Sequence, residues 1–127
     1  QINMKNISTI IVLFLFTLTV NAQKPKWPKL EDYHSVMAKT FHPAEEGNYK
    51  PILENAGELA MLATALKKSK IPAEYQKPGV KESISSLEKE SKAIAKLVKK
   101  KASEEDLKKA IFALHDRFHE VMEKCNH

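Results

Sequence analysis

The residues most able to do chemistry in this chain are histidines. His115 and His119 stand four apart, so on a helix both imidazoles share one face, a turn apart. Two ring nitrogens at that spacing can grip one transition-metal ion. A pair alone is an incomplete set, and the other histidines supply candidates. All five, His34, His42, His115, His119 and His127, fall near the two ends of the predicted domain. At about 1.5 Å of helical rise per residue, His34 is expected near the level of His119 and His42 near that of His115. Glu45 and Glu46 follow His42 and could add an oxygen. Competing readings are half-exposed surface histidines at 115 and 119, and a core histidine at 34.

Three other side chains bear on the same place. Met37 falls on the apolar stripe of its segment, where packing is the ordinary role, yet its thioether can ligate haem iron or Cu(I). Phe112 lies off the inner face, on the flank of His115 and His119, which points to a covered surface: a ligand slot or a subunit contact, such as a homodimer. Cys125 ends the last apolar stripe and is the chain's one cysteine, so no internal disulfide forms. It reads as a buried thiol, a metal thiolate or an intermolecular disulfide partner.

Such residues meet only if the first and last helices are neighbours. Leu30, His34, Met37 and Phe41 recur at helical spacing, and His42-Pro43 is expected to end that helix. Glu45 to Asn48 reads as a polar turn. A second helix is expected from about Pro51 to Lys70, with Ile52, Ala56, Leu59, Ala63 and Leu66 inward. Ile71-Pro72 and Lys77-Pro78-Gly79 punctuate the next connection. A third helix carries Val80, Ile84, Leu87, Ile94 and Val98, with the small polar Ser91 on the same stripe. Ser103 and Asp106 mark the start of a fourth, whose inner face is Leu107, Ile111, Leu114, Phe118, Val121 and Cys125. Four amphipathic helices with short links predict an all-α, antiparallel up-down-up-down four-helix bundle over residues 29–127. In that topology helix one lies beside helix four.

The first 22 residues read as a signal peptide. Lys5 precedes an apolar run from Ile7 to Val20, and Val20-Asn21-Ala22 offers a small-residue exit before Gln23. That run is shorter than the roughly 20 residues needed to span a bilayer. Residues 23–28, with Pro25 and Pro28, read as a linker. The expectation is therefore a periplasmic or secreted protein without a stable membrane span after cleavage. The 127-residue chain carries a formal charge of +5. Its lysines alternate with glutamates as on solvated helix faces, without the aromatic-basic interleaving suited to bases, so nucleic acid is not an expected partner. A local nucleophile-base pair and a phosphate-cradling glycine loop are both lacking, and the expectation is no enzyme.

The stretch Ile111-Phe112-Ala113-Leu114-His115-Asp116-Arg117-Phe118 resembles the last helix of cytochrome c′, which carries C-x-x-C-H-D-x-[FY]. The His-Asp-x-Phe half is kept. Ile111 and Leu114 stand where the cysteines bond haem, so covalent attachment is excluded, and His119 replaces the arginine usual in that family. The opening Leu30-Glu31-Asp32-Tyr33-His34 is similar to that of soluble b-type cytochromes, with His34 at their methionine position and Met37 one turn further. The chain is also similar to exported bacterial proteins with a Thr-Phe-His-Pro-Ala-Glu-Glu-Gly segment, here Thr40 to Gly47, which implies a functional loop after helix one. The resemblance implies a four-helix bundle holding non-covalent haem, with His115 as the proximal ligand and His34 or Met37 opposite. Room for the haem would come from Ser91 and the alanines of helix two.

Two further functions stand beside it. A bare Cu or Zn ion could be held by His34, His42, His115 and His119, for electron transfer or metal handling. The alternative is a cofactor-free periplasmic interaction module.

Overall fold

The computed structural model describes residues 26–127. The expected signal peptide, and the linker up to Pro25, lie outside the described residues. Four helices make up the described chain: α1 (Pro28–Glu45), α2 (Lys50–Lys68), α3 (Val80–Lys99) and α4 (Glu104–Asn126). A short 3-10 turn, Ala73–Tyr75, sits between α2 and α3, and there is no strand among the described residues. The protein is a four-helix bundle in which each helix packs on its chain neighbours and α1 closes against α4.

Local chemistry sets the helix ends. Pro28 occupies the first turn of α1, where a missing N–H costs nothing. Of the stretch read as linker, Trp27 is buried, and its carbonyl accepts the Leu30 and Glu31 amides. α1 runs three residues past His42, with Pro43 inside its last turn. The missing N–H of Pro43 leaves the Lys39 carbonyl without the ladder donor of a regular helix. Gly47 then takes a left-handed φ of 86°, and its amide and that of Asn48 return to the Ala44 and Pro43 carbonyls. That pairing is a Schellman stop, which favours glycine. α3 ends the same way on Lys101, at φ 58°, with the Lys101 and Ala102 amides bonded to Val98 and Leu97. Ser103 caps α4, its Oγ accepting the Asp106 amide at 3.1 Å.

The inner stripes of α2 and α4 are the five and six residues expected, all buried. Burying each Leu, Ile or Phe contributes about 1.5–3 kcal/mol, and with one cysteine the chain depends on these stripes. α3 buries Val80, Ile84, Leu87, Ser91 and Ile94, adds Ser83, and leaves Val98 half-buried. α1 departs most from expectation. Its buried face is Leu30, Tyr33, Val36, Met37, Thr40, Phe41 and Ala44, and His34 is exposed. Tyr33 takes the core place read for His34 because its hydroxyl has a buried partner: its Oη lies 2.7 Å from Ser91 Oγ. Ser91 Oγ also donates to the Leu87 carbonyl at 2.7 Å. Burial pushes the Tyr33 phenol well above its usual range, against the opposing pull of Ser91.

Cross-helix contacts fix which levels face each other. His34 meets Phe118 and Phe41 meets Phe112 and His115, so later residues of α1 face earlier residues of α4. Trp27 Nε1 reaches Ser69 Oγ at 3.5 Å, placing the start of α1 beside the end of α2. Ser83 reaches Glu120 and Glu90 reaches Arg117 between α3 and α4.

Candidate metal centre

The α1–α4 seam carries the imidazoles along its outer edge. Phe41, one turn from the end of α1, crosses the seam and lies flat on the His115 ring, with centroids 3.6 Å apart and planes 2° from parallel. His119 stands edge-on to His115 at 4.4 Å and 81°. The α-helical four-residue spacing of the pair produces this neighbourhood, and Phe41 holds one member of it in place. His42 follows Phe41, its ring 5.6 Å from that of Phe41. It is 68% exposed, and its Nδ1 lies 3.2 Å from Glu45 Oε1.

His115 is half-buried, and its imidazole is held below the usual histidine range. Burial is the largest cause, and the charge of a neighbouring His119 adds to it. Asp116 and Glu45 pull the other way, and His42 also lowers it. A neutral imidazole keeps a lone pair for a metal, and a lowered proton affinity reduces the competition for it.

The expected set of four does not come together as it stands. Among the described residues no three His, Cys, Asp or Glu side chains converge so as to hold a metal ion. His34 is exposed at the other end of the aromatic run, packed on Phe118 at 5.1 Å. His127 is exposed beyond the end of α4. Glu46 is exposed in the turn. Cys125 is buried in the core, and burial pushes its thiol up, away from thiolate character. The structure does bring together His115 and His119, with Phe41, the chain neighbour of His42, against His115.

The residues present do not fit a haem. Met37 is 1% exposed within the packed core, whereas His115 lies at the outer edge against Phe41. The room expected beside Ser91 is taken by the Tyr33 phenol, and Ala56 and Ala63 are packed in the core cluster. No buried side-chain polar atom among the described residues lacks a partner that a haem could supply.

One residue of this region escapes the sequence reading. Phe41 counted only as core, yet it positions His115. The signal was present: Phe41 falls at the level of His115 once α1 and α4 are set side by side. Phe112 is half-buried under Phe41, with rings 5.3 Å apart, and Lys108 Nζ sits 5.8 Å over its face. Phe41 and Lys108 cover part of it.

Comparison with known protein families, curated proteins and solved structures finds no match to this chain. No helix among the described residues is long and apolar enough to cross a membrane.

Proposed function

We propose that this protein is a non-enzymatic, exported binder of a Cu or Zn ion, and that His115 and His119 are its principal ligands. The helices alternate up and down, which sets the end of α1 beside the middle of α4. The observation that carries the reading is the half-buried His115 ring, locked against Phe41 with its proton affinity depressed and a second imidazole one turn away.

The geometry supports a two-imidazole grip completed from α1. The His ring torsion at χ2 is broad and soft. His119 is exposed and free to turn its nitrogen edge toward the ion that His115 holds. His42, the residue after Phe41, is the third donor of this reading, with Glu45 beside it. Three protein donors with water in the remaining position is the pattern of an open zinc site. The cytochrome-like helical plan is kept in this reading, with a surface ion in place of an interior haem. Export follows from the residues 1–22 pattern.

Calorimetric titration with zinc or copper tests the proposal. The wild-type chain should bind one ion with sub-micromolar affinity. His115→Ala/His119→Ala should weaken that affinity by about a hundredfold or more, while His127→Ala should leave it unchanged. Equal affinity in the double variant and the wild type would falsify the assignment and favour a cofactor-free interaction module.

A further inference from the structure

One hollow lies away from the histidines, where the end of α2 meets the start of α3. Its volume is about 440 Å³. Small-molecule sites typically fall between about 300 and 1,000 Å³. Its floor is apolar: Leu66 from α2, Ile71 from the connection, and Val80 and Ile84 from α3. Leu66, Val80 and Ile84 are core residues, so the hollow opens directly onto the packed interior.

The rim is cationic. Lys67, Lys77 and Lys81 all border the opening. Lys67 is engaged by Glu88 at 3.3 Å. Lys77 and Lys81 have no ion-pair partner among the described residues. α3 also begins here without a side-chain cap, directly after Gly79; its Val80 amide donates to the Lys77 carbonyl, and the remaining first-turn amides add partial positive charge. An apolar slot under a positive rim complements an amphiphile with one anionic head.

We infer that this hollow binds a free medium-chain monocarboxylate, with the alkyl chain against Leu66, Ile71, Val80 and Ile84 and the carboxylate at Lys77 and Lys81. The inference is independent of the metal reading. It has a built-in reporter. Trp27 is the chain's one tryptophan. Its Nε1 donates to Ser69 Oγ, and Ser69 lines the hollow.

The test is titration of the full chain with decanoate below its micelle concentration, read by Trp27 fluorescence and by calorimetry. Saturable one-to-one binding is expected, tightening about threefold to fourfold per methylene from hexanoate to decanoate. Decyltrimethylammonium should bind far more weakly. Lys77→Glu/Lys81→Glu should cost about tenfold in decanoate affinity. Ser85→Phe, which fills the hollow from its wall, should abolish saturable binding with helicity retained. No saturable heat with decanoate, equal affinity for the cationic amphiphile, or undiminished binding by Ser85→Phe each overturns the inference. Binding to phosphatidylglycerol vesicles without binding to free decanoate overturns it too, and assigns the surface to a membrane.

Discussion

On one flank of α4, Arg117 is gripped by carboxylates; on the other, His115 lies flat on an aromatic ring. Arg117 donates from Nε and Nη2 to Glu90 on α3, and from Nη1 to Glu120 at 3.0 Å. Ser83 closes the set by donating to the other Glu120 oxygen at 3.0 Å. The carboxylates hold Arg117 above its usual range, and the Ser83 and Arg117 bonds hold Glu120 below its own. Arg117, Glu90, Glu120 and Ser83 are all engaged with one another there, so that flank joins α3 to α4. The imidazole flank is joined by ring contacts, which restrain position without consuming nitrogen lone pairs. Two sides of one helix thus separate a structural use of polar groups from a use that keeps them available.

Four changes would break or sharpen this contrast. Phe41→Ala should have the largest effect, about 3–5 kcal/mol of lost stability from an emptied core site, measured by urea denaturation. It should also weaken zinc binding, because His115 loses the ring that holds it. Ser91→Ala comes next, at about 1–3 kcal/mol, because the buried Tyr33 hydroxyl is left without a partner. Tyr33→Phe should cost less, since Ser91 keeps its bond to the Leu87 carbonyl, and the Tyr33→Phe/Ser91→Ala pair should fall well short of additive. Arg117→Ala should cost only about 0.2–1 kcal/mol, the scale of partly exposed ion pairs, and should leave zinc affinity unchanged.

The smallest effect expected is on pH dependence. The His115 proton affinity is lower folded than unfolded, so the unfolded chain binds more protons at mildly acidic pH. The His115 contribution to stability is therefore complete above its ordinary pKa of 6.5 and is lost as pH falls through the depressed folded value. Denaturation profiles between neutral and mildly acidic pH should flatten in His115→Gln. Zinc affinity in the wild type should weaken across the same range, as protons compete for the nitrogens.

Much of this architecture is written in the apolar spacing. The α2 and α4 stripes are strongly periodic and polar elsewhere, so their buried faces are unambiguous. The Ser103 cap is equally plain. α1 was harder because two overlapping stripes compete there. Tyr33 carries a hydroxyl that argues against burial unless its partner is known, and that partner, Ser91, is 58 residues away. Each polar member of the pair conceals the reason for the other. His34 reads as internal only because it shares spacing with Leu30 and Met37. The Lys101 turn could not be read either, because its left-handed residue is not a glycine.

The same limits shaped the site. The i, i+4 spacing of His115 and His119 is sufficient to make them neighbours. Whether His42 or His34 joins them depends on side-chain directions at the α1–α4 edge, which spacing does not encode. The haem expectation rested on matched letters in two short segments, while space for a haem is a property of packing across all four helices.

The central claim is most directly tested by following imidazole nitrogen-15 resonances during a zinc titration. The account predicts that the His115 and His119 signals shift together and saturate at one ion per chain, with His127 unmoved. Shifts confined to His127, or spread evenly over all five histidines without saturation, would contradict it.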